Sequence, residues 1–104
     1  MELKNKIILV FGAAGLIGSE FSKTLIDNGA NCILTDNDQL KLNKLKKKLN
    51  NYKPNIVSFK KVDISSEKQI VSLKNYLKKN FKKLDGVVNL VANDPKITNK
   101  KNKF

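Results

Sequence analysis

One stretch near the N-terminus limits the possible folds more than any other. Lys6–Phe11 (KIILVF) is a continuous apolar run, Gly12-Ala13-Ala14-Gly15 breaks it, and Leu16–Asn28 follows. An unbroken apolar run of this kind reads as a strand covered on both faces, as in a parallel sheet. After the break, Ile17, Phe21 and Leu25 recur every four residues and share one face, the apolar face of an amphipathic helix. Gly29 stands where a glycine ends such a helix. The segment is therefore strand, glycine-rich turn and helix in direct succession.

The alternation continues along the chain. Asn31–Thr35 (NCILT) is a second strand, closed by Asp36-Asn37-Asp38. Gln39–Asn50 is a second helix with Leu42, Leu45 and Leu49 as its buried stripe and lysines elsewhere. Asn51–Asn55, with Pro54, is a loop, and Ile56–Val62 (IVSFKKV) is a third strand near the sheet edge. Asp63-Ile64-Ser65 leads into a third helix, with Ile70, Leu73, Leu77 and Phe81 on its apolar face. Ser66 and Gln69 have capping-box spacing, and Ser65 is the other choice for the N-cap. Asp85-Gly86 then turns into a fourth strand, Val87–Val91.

Strands alternating with helices, joined by right-handed crossovers, give an α/β, Rossmann-like three-layer fold. The expected parallel sheet has four strands in the order 3-2-1-4. A ligand crevice should lie at the carboxyl ends, between strands 1 and 4. Residues 1–92 form the one domain. The polar Lys/Asn-rich tail, residues 93–104, has no periodicity and is expected to be disordered.

Composition closes several routes. The 104 residues suffice for one small domain. Histidine is absent, which excludes His-based catalysis and His-ligated metals. The single cysteine, Cys32, lies inside an apolar strand and has no partner for a disulfide or a metal site. No signal-peptide layout and no membrane-length apolar run are present, so a cytoplasmic protein is expected. The net charge of +12 raises a competing reading, a basic non-enzymatic module that binds nucleic acid or acidic partners. Against it, every basic residue is lysine, and the arginine that reads phosphates and base edges is missing. Lys44, Lys46, Lys47 and Lys48 also fall where a helix meets solvent. Nucleic acid is therefore not the expected partner.

Three features carry chemistry. Gly12 permits a tight turn, Gly15 lets a pyrophosphate approach the backbone, and Gly18 lets the helix pack closely. With Ala13, Ala14, Leu16 and Ile17 they form a turn whose amides and helix dipole face phosphates. Asp36, 18 residues beyond Gly18, ends the second strand, where a carboxylate accepts the adenosine ribose hydroxyls. It would repel a 2′-phosphate, so NAD ranks above NADP. Asp38 is the better helix N-cap of the two aspartates. In Val62-Asp63-Ile64, Asp63 follows a strand at the same end of the sheet. It either accepts from the adenine amino group or caps the third helix.

Together VFGAAGLIGS, ILTDND, VDIS and LDGVVNLVA resemble the short-chain dehydrogenase/reductase superfamily over residues 5–92. The resemblance implies a nicotinamide dinucleotide cofactor and, in the intact relative, a small-molecule substrate. It also implies that Asn89, Val91 and Ala92 run along the cofactor, although Asn89-Leu90-Val91-Ala92 keeps only the first Asn of the family's Asn-Asn-Ala-Gly. The turn glycines stand first, fourth and seventh. That spacing occurs in the longer branch of nucleotide-sugar epimerases and dehydratases. It also occurs in shorter-branch reductases of surface-sugar and flagellin-modification pathways, which GLIGSEF and the NGA turn resemble more. The family's catalytic Tyr-x-x-x-Lys has no counterpart, since Ile56 and Asn80 stand four residues after Tyr52 and Tyr76. No catalytic residue is carried over. The chain reads as the N-terminal part of such a reductase, with a fourth strand left open to self-association.

Overall fold

The computed structural model describes residues 2–50 and 57–91. In chain order these form β1 (Ile7–Phe11), α1 (Leu16–Asp27), β2 (Asn31–Asp36), α2 (Gln39–Leu49), β3 (Val57–Lys61), α3 (Glu67–Asn80) and β4 (Gly86–Asn89). The sheet order is β3-β2-β1-β4 and every pairing is parallel. Leu9 at the centre of β1 lies opposite Ile33 of β2 and Val87 of β4. This is the Rossmann-like α/β fold expected from the alternation of elements.

The sheet is the middle of three layers. Ile8, Val10, Cys32 and Leu34 project to one face, against Leu25 and Ile26 of α1 and Leu45 and Leu49 of α2. Leu9 and Ile33 project to the other, against Leu73 of α3, with Ile70, Tyr76, Leu77 and Phe81 around it. Because β1 and β2 are covered on both faces, Ile7–Phe11 of β1 and Cys32–Leu34 of β2 are continuous apolar runs rather than alternating ones. Cys32 is buried, and burial pushes its thiol up to about 12, which makes it an inert apolar residue.

The helix ends follow the sequence closely. Gly29, with φ +96°, donates its amide to Ile26, and Ala30 donates to Leu25, which is a Schellman stop for α1. Asp38 caps α2, its Oδ1 accepting the Lys41 amide at 3.1 Å. Ser66 caps α3 by accepting the Gln69 amide at 3.2 Å, so the N-cap is neither Ser65 nor Asp63. The Gln69 side chain does not close a capping box, because its Oε1 accepts the Asp63 amide instead.

Two expectations need correction. The face of α1 that meets the sheet is Gly18, Ser22, Leu25 and Ile26. Ile17 and Phe21 remain 72% and 40% exposed. Small residues win that face because α1 must lie close to the turn that precedes it. Strand ends also move: β2 runs one residue further, to Asp36, and β4 starts at Gly86 and stops at Asn89 instead of spanning Val87–Val91. The expected loop 51–55, Ala92 and the tail 93–104 lie outside the described residues.

Candidate functional site

The turn after β1 is built on two glycines that the protein itself requires. Gly12 has φ +74°, and a Cβ there would sit 2.7 Å from the Leu90 carbonyl carbon and 2.8 Å from the Val91 nitrogen. The turn therefore crosses directly over the end of β4, with no room for a side chain. A Cβ on Gly18 would overlap the Gly12 carbonyl oxygen, so this glycine seats α1 on the turn.

Gly15 differs from both. Its φ of −73° and ψ of 178° suit any residue, and a Cβ there would meet nothing nearer than the Gly12 oxygen at 3.7 Å. Neither backbone strain nor packing demands a glycine. Its open side belongs to a crevice of about 680 Å³. Gly15 is also the N-cap of α1, with no side-chain cap and no acidic residue in the first turn. The positive end of this helix is thus open to an anion.

The opposite wall carries the two aspartates. Asp36 is buried, its Oδ2 accepting the Ala14 amide and its Oδ1 the Asp38 amide, both at 3.0 Å. Asp63 Oδ1 accepts the Ser65 hydroxyl at 2.6 Å and the Ser65 amide at 2.9 Å. Those two bonds, the hydroxyl's first, hold its carboxyl below the ordinary value.

Of the residues chosen from sequence, Gly12, Gly15, Leu16, Ile17, Gly18, Asp36, Asp63, Ile64 and Val91 line this crevice. Ala13 is fully buried with its amide on the Thr35 carbonyl, and the Ala14 amide is held by Asp36. Neither forms the lining. Asn89 turns its Oδ1 onto the Val91 amide at 3.0 Å and does not line the crevice either. The lining also includes Phe11, Val62 and Leu90 and the polar Asn37, Lys41 and Ser65, none of which was chosen from sequence. Asn37 and Ser65 directly follow motif residues, and Lys41 is in the first turn of α2, so the strand–helix junctions held the signal.

A model of the short chain dehydrogenase family matches residues 6–103. The chain belongs to the short-chain dehydrogenase family. It is 35% identical over 88 residues to the post-translational flagellin modification protein A of Campylobacter coli, covering 84% of this chain and 34% of that protein. It is 29% identical over 89 residues to an uncharacterized oxidoreductase of Staphylococcus saprophyticus, covering 86% of this chain and 38% of the relative. The chain thus spans little more than a third of the length of either. Among solved structures, the RhlG/NADP active-site complex of Pseudomonas aeruginosa matches with a TM-score of 0.79 and 25% identity, over 95% of this chain and 39% of that one. Members of the family bind nicotinamide dinucleotides, and the crevice fits such a group: an uncapped helix start, an open glycine and a carboxylate wall. Among the described residues, no helix is long and apolar enough to cross a membrane.

Proposed function

We propose that this short-chain dehydrogenase chain binds NAD in the crevice between the glycine turn and the ends of β2 and β3. It would serve as the cofactor-binding part of an oxidoreductase. When bound, the nicotinamide supplies a hydride donor or acceptor for a carbonyl or hydroxyl carbon. The turn from Gly12 to Gly18 holds the pyrophosphate, Asp36 the adenosine ribose and Asp63 the adenine amino group. The carboxylate of Asp36 disfavours a 2′-phosphate, which ranks NAD above NADP.

One observation carries this reading. Gly15 is a glycine that neither its backbone angles nor its neighbours require, at the uncapped start of a helix that lines the crevice. A ligand with phosphates explains it; packing does not.

No residue is assigned to proton transfer. Tyr76 packs edge-on to Phe81 with ring centroids 6.2 Å apart, beneath Lys60, on the α3 side of the sheet. We further propose a cytoplasmic protein that self-associates along β4. Calorimetric titration with NADH tests the cofactor reading: saturable binding supports it, and no heat of binding at millimolar cofactor overturns it.

A further inference from the structure

The glycine turn does not hold its own shape. Its internal hydrogen bond, from the Gly15 amide to the Gly12 carbonyl, is long at 3.4 Å. Two bonds from outside the turn are shorter. The Ala13 amide donates to the Thr35 carbonyl at 2.9 Å, and the Ala14 amide donates to Asp36 Oδ2 at 3.0 Å. Successive amides of the turn are therefore tied to successive residues of β2. Thr35 uses its main chain, which any residue would supply. Asp36 uses its side chain, which makes the second tie specific to this sequence.

Asp36 is itself fixed. Its carbonyl accepts the Val62 amide at 2.9 Å, and its Oδ1 accepts the Asp38 amide at 3.0 Å. The neighbouring Thr35 hydroxyl donates to the Val10 carbonyl at 2.9 Å. The carboxylate is buried, and bonds from amides to an ionised oxygen are among the stronger ones.

We infer that Asp36 is a positioning residue for the phosphate-binding turn, and not only a reader of the ribose. This rests on the cofactor reading for its consequence but not for its geometry. Through one carboxylate, the ribose end and the pyrophosphate end of the crevice are mechanically joined. A change at Asp36 loosens Ala14 and Gly15 and costs affinity for any dinucleotide, whatever its 2′ substituent. A residue that only reads the ribose would behave differently: removing its charge would tighten the binding of NADPH.

Amide hydrogen exchange on the full chain without ligand tests the brace directly. In Asp36→Ala, the Ala14 amide exchanges at least about tenfold faster, the size of one lost charge-assisted bond, while the Ala13 amide keeps its protection. Ala13 thus separates a loosened turn from an unfolded protein. Should Asp36→Ala fail to fold, Asp36→Asn has a side chain of the same shape with one acceptor oxygen. It loses protection at Ala14 or at Asp38 and keeps it at Ala13. Calorimetry then reads the consequence: Asp36→Ala weakens NADH binding and leaves NADPH no tighter than in the wild type. Unchanged protection of Ala14 and Asp38 in the folded variants overturns the proposal, as does NADH binding by Asp36→Ala as tight as by the wild type. A wild type that binds neither dinucleotide would refute the cofactor reading alone, because the exchange result stands without ligand.

Discussion

Asp85 and Ile7 are joined twice: the Ile7 amide donates to Asp85 Oδ2 and the Asp85 amide donates to the Ile7 carbonyl, each at 2.7 Å. This pair sits just before the first bridged residues of the two strands, Ile8 and Gly86. It sets the register that brings the end of β4 beneath Gly12. A side chain 78 residues distant thus aligns one floor of the crevice.

The pair makes stability depend on pH. The Ile7 amide, and after it Lys83, hold the Asp85 carboxyl below its ordinary 3.8. A carboxyl lowered in the folded state stabilises above its unfolded value, and that contribution disappears as pH falls through the folded one. Asp63 is shifted in the same direction. Thermal unfolding followed from neutral pH down through the carboxylate range should therefore show falling stability below about pH 4. Asp85→Asn should be less stable at neutral pH and lose less on acidification. Parallel pH curves for the two proteins would contradict the role given to the Asp85–Ile7 pair.

Gly12→Ala should destabilise the fold itself. Positive φ costs a non-glycine residue about 1–2 kcal/mol, and forcing a methyl against the Leu90 and Val91 backbone adds about 1–3 kcal/mol. Urea denaturation reads the sum. A variant as stable as the wild type would show that the turn can move away from β4.

The strand order and the three turn glycines were legible because each rests on local pattern: apolar runs of strand length, and glycines between a strand and a helix. Asp38 as an N-cap and Gly29 as a helix stop were legible for the same reason. The buried face of α1 was not. Its apolar periodicity points to Ile17 and Phe21, but the requirement that Gly18 lie on Gly12 turns the helix onto Gly18 and Ser22. The Ser22 hydroxyl is satisfied internally by the Gly18 carbonyl at 2.7 Å, so a polar residue is tolerated there. The tie between Asp36 and Ala14 joins residues 22 apart and leaves no periodic trace. Lys41 was missed because a lysine on a lysine-rich helix carries no signal of its own.

Among the described residues β4 pairs only with β1, and Val87 on it is 57% exposed. An apolar edge of this kind pairs with other chains. The 104-residue chain should sediment as larger species at higher concentration. Added salt should promote this, because the net charge of +12 opposes contact between copies. Val87→Lys should shift the population toward monomer. A wild type that stays monomeric across concentration and salt would remove β4 as the contact.

Titrating NADH into the wild type and Gly15→Val on one calorimeter tests whether the crevice beside Gly15 holds the cofactor phosphates. The backbone at Gly15 accepts a valine, and the loss of a good N-cap residue costs about 1 kcal/mol, so the variant should remain folded by circular dichroism. Saturable binding by the wild type and at least about a hundredfold weaker binding by the folded variant, equivalent to about 2.8 kcal/mol, are expected. Equal affinity in the two proteins, or no binding by either, would contradict phosphate binding beside Gly15.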